Sequence, residues 1–176
     1  MTEAEINKVS GQLWSDPMPP GMNVYAILDA ARNEKIYPAV KACTLEWTSL
    51  YLGKVAPELE QVAPYLVKLQ KDHPFTRKVI ADGWTDHWGI YIWAPSELIE
   101  LRQHLRKFLM VRDESGKDLV FRYYDPRVFR TYLPTCSADE LDSLFGPIQE
   151  FIVSGQEPAA LLRFRVEQGH LIQESL

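Results

Sequence analysis

The sequence predicts an α/β domain, a mixed β-sheet covered by helices and ending in a C-terminal hairpin. Three observations predict it. Short β-branched and aromatic runs alternate with segments of helical periodicity, the pattern of strands interspersed with helices. Trp88-Gly89-Ile90-Tyr91-Ile92-Trp93 is apolar on both alternating faces, which suits a central strand covered on two sides. Near the C-terminus, Leu162, Phe164 and Val166 point one way while Arg163, Arg165 and Glu167 point the other, and Gly169 can turn the chain back through Leu171 to Gln173.

Each element follows from local chemistry. Asp16-Pro17-Met18-Pro19-Pro20-Gly21 breaks the chain between an N-terminal segment, residues 1–23, and the first strand, Val24 to Leu28. A helix over Ile36 to Thr44, a short strand over Ser49 to Leu52, a turn or short helix over Pro57 to Gln61 and a strand over Tyr65 to Leu69 come next. After His73-Pro74, Phe75 to Ala81 reads as helix and leads to the strand at Trp88 to Trp93. Ser96 is placed to cap a helix whose stripe of Leu98, Leu101, Leu105 and Phe108 faces a core. Met110 to Arg112 and Leu119 to Tyr124 flank the polar loop Asp113-Glu114-Ser115-Gly116-Lys117, which predicts a hairpin. Ser137-Ala138-Asp139-Glu140 is a capping box opening a helix to Phe145, and a strand over Ile148 to Val153 follows Pro147. The main domain is thus 24–153, with a tail or hairpin over 154–176.

Composition narrows the function. A chain of 176 residues, 46% hydrophobic and 24% charged, suits one domain with a substantial core and is not disordered. It has no apolar run of the roughly 18 residues a membrane span needs, and Met1 to Gln12 lacks a signal core, so a cytoplasmic protein without membrane contact is expected. Cys43 and Cys136 lack metal-type spacing and read as reduced thiols. The net charge of −5 argues against nucleic acid as a partner. Charge is uneven, however: residues 96–130 carry eight basic and six acidic groups, whereas 131–176 carry two and seven. This basic island can face an acidic partner or pair internally.

The densest chemistry lies in Phe121-Arg122-Tyr123-Tyr124-Asp125-Pro126-Arg127-Val128-Phe129 and in His104-Leu105-Arg106 just before it. Asp125 precedes a proline suited to the first helical position, so it is placed as an N-cap; its carboxylate is also placed to pair with an arginine of the preceding helix. On that helix Arg102 and Arg106 stack one turn apart at one border of the apolar stripe, and His104 lies at the other as a packed or hydrogen-bonded side chain.

The known catalytic signatures are missing. There is no nucleophile elbow, phosphate-cradling loop, dinucleotide fingerprint or paired-histidine zinc motif. His73, His87, His104 and His170 do not share a helical face, so neither a metal nor a cofactor is expected. Asp29, Asp82, Asp86 and Asp125 would make an acid–base pair only by tertiary convergence, and Asp29 at a strand end reads as a turn or cap residue.

The order Tyr25-Ala26-Ile27-Leu28-Asp29-Ala30-Ala31, Ala63-Pro64-Tyr65-Leu66-Val67, His104-Leu105-Arg106, Phe121 to Val128 and Phe145-Gly146-Pro147-Ile148 resembles the adaptor-chaperone family of bacterial type VI secretion, over about residues 24–153. Such proteins, named Tap or TEC, are cytoplasmic, non-enzymatic adaptors that hold a toxic effector and help load it on the VgrG spike. The resemblance therefore implies two partners, the cognate effector and VgrG. His104, Arg106, Arg122, Tyr124, Asp125 and Arg127 match the family's motif positions, and their chemistry favours an internal lock between helix and strand over an interface. Trp14 beside the proline-rich break, Arg102, and Arg163, Phe164 and Arg165 of the terminal hairpin are the candidate partner contacts; Trp88 and Trp93 are expected in the core. Two other classes stay open: an enzyme gripping a small anion through Arg102, Arg106 and Arg127, and an immunity protein that neutralises a toxin.

Overall fold

The computed structural model describes residues 1–15, 18–112 and 115–176. Asp16 and Pro17 of the expected break, and Asp113 and Glu114 of the expected polar loop, lie outside the described residues.

The centre of the molecule is β1, Asn23–Asp29, buried at every position after Asn23. It pairs on one side with β3, Pro64–Leu69, and on the other with β4, Gly89–Ala94. β2, Trp47–Ser49, lies beyond β3, and β7, Glu150–Ser154, β8, Leu161–Glu167, and β9, His170–Ser175, extend the sheet beyond β4. The class and the terminal hairpin are as expected. Every pairing is antiparallel, which refines the expected mixed sheet. The crossover that helical segments between strands suggest does exist, since β3 and β4 run in the same direction joined by α4, Pro74–Gly83. β1 occupies the slot between them, so the two parallel strands never meet.

Both faces of the sheet are covered, which explains the near-continuous apolar strands. Val24, Ala26 and Leu28 face a layer made by α1, Glu3–Leu13, α2, Ile36–Ala42, and α4. Tyr25 and Ile27 face the opposite layer, made by α5, Leu98–Leu105, α6, Pro126–Tyr132, and α7, Ala138–Phe145. The short α3, Pro57–Glu60, carries the chain from β2 to β3. α1 was not expected from the sequence: Thr2 and Glu5 form a reciprocal cap, and Ile6, Val9 and Leu13 bury themselves against the first face. Trp84, Trp88 and Trp93 are core residues.

Three local expectations are corrected. The strand expected to run to Tyr124 stops at the end of β6, Asp118–Val120, which pairs only with β5, Met110–Arg112. Tyr123 and Tyr124 both enter the core, and an extended strand would send neighbours to opposite sides, so the chain turns there instead, with the Asp125 amide donating to the Arg122 carbonyl at 3.0 Å. The cap of α5 is Glu97, paired reciprocally with Glu100, because the Ser96 carbonyl is held by the Tyr25 hydroxyl at 2.6 Å. β2 sits earlier than expected because Trp47, Thr48 and Ser49 are the residues in register with β3.

Candidate functional site

The C-terminal end of β1 gathers most of the motif residues. Asp29 is the last residue of that strand, and alternation turns it toward the α5–α6 layer, where only 1% of it stays exposed. Its Oδ1 accepts the Ala31 amide at 3.2 Å, the turn role expected of it. Its Oδ2 accepts from Arg122, whose Nε lies at 2.9 Å and whose terminal nitrogen bonds the same oxygen. Burial pushes the Asp29 carboxyl above the usual carboxylate range, and Arg122 offsets only part of that rise. Tyr124 packs beside it, its phenol raised by burial first and then by the Asp29 and Tyr51 groups.

Next to this pair begins α6. Asp125 caps it, accepting the Arg127 amide at 2.9 Å with Pro126 in the first helical position, as expected. The arginine it pairs with is Arg127 of its own helix, at 2.6 and 3.0 Å, rather than one from the preceding helix. A cap already faces the first turn, so the arginine two residues on reaches it with little ordering cost. Burial works to raise the Asp125 carboxyl, but the Arg127 side chain and amide outweigh it and hold it below its ordinary value.

The adjoining loops complete the cluster. Asp86 accepts from Arg32 at 2.8 Å, Asn33 at 2.8 Å and the Trp88 indole at 2.9 Å, and its backbone carbonyl takes the Arg32 Nε at 2.7 Å. His87 sits in the left-handed region, φ 56°, with Nδ1 3.3 Å from the Ser154 hydroxyl. Burial, then Arg130 and Arg127, depress its pKa. Arg130 of α6 donates to the Ser154 and Gly155 carbonyls, tying the helix to the end of β7. Asp82 pairs away from the cluster with Lys78 at 2.6 Å. Each of the four aspartates therefore faces a cation, and among the described residues no three metal-ligating side chains converge.

Several motif and contact candidates lie elsewhere. His104 is buried, and its Nε2–H donates to the Leu144 carbonyl at 2.8 Å; burial lowers its pKa. Gly146, φ 45°, lies against that ring so closely that a Cβ would come 2.4 Å from Cε1. Arg102 holds the Ser49 and Tyr51 carbonyls at 2.7 and 2.8 Å, fastening α5 to β2. Among the described residues Arg106 contributes no lock: it forms no ion pair, and its buried Nε has no hydrogen-bond partner. Asp125, the acceptor expected for it, is taken by Arg127.

The partner candidates divide similarly. Phe164 is fully buried and packs on Phe129, so it offers a partner no surface. Arg163 bonds the Gln12 carbonyl and the Ser15 hydroxyl, pairs with Glu150 at 3.7 Å and lies 4.9 Å over the Trp93 ring, so it fastens α1 to the sheet. Arg165 pairs across the terminal hairpin with Glu174 at 2.7 Å. Trp14 is half-buried against the first core rather than a free anchor, because α1 docks and draws it down. Cys43 and Cys136 are free thiols, both raised by burial.

Sequence reasoning missed the Asp86 cluster and the Arg122–Asp29 pair. One local signal existed for the first: a tryptophan entering a buried strand needs an acceptor for its indole N–H. Nothing local announces a pair 93 positions apart.

No helix among the described residues is long and apolar enough to cross a membrane. No curated protein and no solved structure matches the chain. The family model described as "Domain of unknown function (DUF4123)" matches residues 24–143, from the start of β1 into α7, and so takes in Asp29, Asp86, Arg122, Asp125 and Arg127. That is more than half of the 176 residues, and the chain belongs to the DUF4123 family, which is linked to type VI secretion effector adaptors.

Proposed function

We propose that this protein is a non-enzymatic cytoplasmic adaptor that binds a toxic type VI effector and helps load it on the VgrG spike. Family membership over residues 24–143 carries the reading. The site geometry supports it, because the charges at the end of β1 are turned on one another. Arg122 holds Asp29, Arg127 holds Asp125, and Arg32 holds Asp86. Such mutual pairing fixes loop positions at an element junction and suits a rigid platform for protein partners. The anion-gripping alternative draws less support, since Arg102 and Arg127 already hold acceptors within the chain.

Coexpression with a candidate type VI effector and a VgrG from the same genome tests the proposal. An effector complex that survives size exclusion and captures VgrG is the expected result. A complex that abolishes toxicity and never engages VgrG would identify an immunity protein instead, and no complex with either would end the adaptor reading.

A further inference from the structure

β5 and β6 stand apart from the rest of the fold. They form a two-stranded sheet that pairs with no other strand among the described residues. Such a ribbon is marginal by itself and normally gains stability by packing an apolar face. Here both faces are apolar and open: Met110 and Val120, opposite one another, are 52% exposed, and the neighbouring pair Val111 and Leu119 are 42% and 40% exposed. The hairpin is closed at its tip end by an Arg112–Asp118 pair at 2.9 Å and at its base by the Phe121 amide donating to the Leu109 carbonyl at 2.8 Å. These contacts set its shape without covering it. Contiguous exposed apolar side chains of this kind mark interaction surfaces.

Charge identifies what covers them. β5 continues from α5 through the 3₁₀ turn Arg106–Phe108. Arg106 has no carboxylate partner, nor does Lys107 beside it, among the described residues. The next arginine up the helix, Arg102, is close enough to feel Arg106 as a like charge and answers it with carbonyls only. The Arg106 Nε is buried without an acceptor, but the side chain as a whole is only half-buried, so its guanidinium charge stays within reach of a carboxylate from outside. Ile99, two turns earlier on the same helix face and 55% exposed, extends the apolar surface past these cations. An occupant must therefore bring aliphatic or aromatic side chains for the hairpin and carboxylates for Arg106 and Lys107.

We propose that the β5–β6 hairpin and the adjoining Arg106 face form the docking surface for an acidic, apolar-anchored segment of the effector, a segment that covers the hairpin and places a carboxylate on Arg106. This inference rests on the adaptor reading and goes beyond it by naming the surface and the chemistry of the segment it holds.

The test uses the full chain and the candidate effector that the coexpression identifies, with affinity measured by biolayer interferometry. Three variants are compared with wild type: Met110→Ser with Val120→Ser, Val111→Ser with Leu119→Ser, and Arg106→Glu. All five positions are at least partly exposed, so melting temperatures within a few degrees of wild type are expected and serve as the control for folding. Each variant should weaken effector binding at least tenfold, and Arg106→Glu should also flatten its salt dependence. Hydrogen exchange should show residues 106–112 and 118–121 protected in the complex. Unchanged affinity in all three variants, with wild type binding the effector, overturns the surface and leaves the adaptor reading standing. Loss of VgrG capture with effector binding intact overturns the choice of occupant, as does a wild-type dimer that the hairpin substitutions dissolve. A wild-type protein that binds no effector removes both inferences together.

Discussion

A buried carboxylate is stable only with a partner, and Asp29 shows what that requires. With 1% of its surface exposed, it depends on Arg122, whose own side chain is 42% exposed. Arg122→Ala leaves the carboxylate in place without its cation, and a cost of about 2–4 kcal/mol is expected, at the low end for breaking a buried pair because water reaches the arginine. Asp29→Asn keeps the acceptor for the Ala31 amide and should cost less, about 1–2 kcal/mol. The pH dependence separates the two. The folded-state pKa of Asp29 is raised by burial, so its contribution is fully present below the unfolded carboxylate value and is lost as pH rises through the folded one. Removing Arg122 raises that pKa further. The deficit of Arg122→Ala should therefore shrink as the solution is acidified, whereas that of Asp29→Asn should not; urea titrations at several pH values decide it.

At the scale of elements, backbone approach is as decisive as side-chain packing. β1 and β4 pair so closely at Gly89 that a Cβ there would stand 1.8 Å from the Ile27 carbonyl oxygen. Gly89→Ala must push the two central strands apart, and a loss of about 3 kcal/mol or more is expected, read as a lower urea midpoint. That glycine was visible in the sequence only as part of an apolar run. The run made β4 legible, as similar ones made β1 and β3 legible, because a strand covered on both faces has no polar face to obscure it. α1 was missed although Thr2 and Glu5 spell a capping box, since its buried Ile6, Val9 and Leu13 are diluted by polar neighbours. Tyr123 and Tyr124 misled because an aromatic pair fits a strand locally, and only the core they both enter reveals the turn. In the site, the Asp125 cap could be read from the chain itself. Its arginine could not, and neither could the isolation of Arg106, because both depend on which side chain reaches the acceptor first in three dimensions.

For the whole molecule, two histidines on different elements shape stability against pH. His87 lies in the loop before β4 and His104 on α5, and burial is the largest cause of a depressed pKa at each. A group whose folded-state pKa is depressed contributes stability that is complete above its unfolded value, about 6.5 for histidine, and is lost as pH falls through the folded value. In that window the unfolded chain binds protons that the folded chain refuses, so stability must rise with pH. Asp86 and Asp125, also held below their ordinary value, add the same sign of dependence only further into acid, below about pH 3.9. The histidines are thus the source of an upward slope below about pH 6.5, while Asp29 and Glu150, whose carboxyls burial raises, act with the opposite sign. His104 matters to the α5–α7 layer because it joins α5 to the end of α7 through the Leu144 carbonyl. Replacing it with glutamine keeps a donor for that carbonyl and removes the titration, and His87→Asn does the same at the left-handed position, which asparagine tolerates well. The double variant should lose the climb that the wild-type urea midpoint shows from pH 5 to 6.5, its own midpoint staying level or falling as the raised carboxyls of Asp29 and Glu150 ionise. An equal climb in both proteins would mean that other groups set the dependence and that the two histidines are protonated in the fold as readily as out of it.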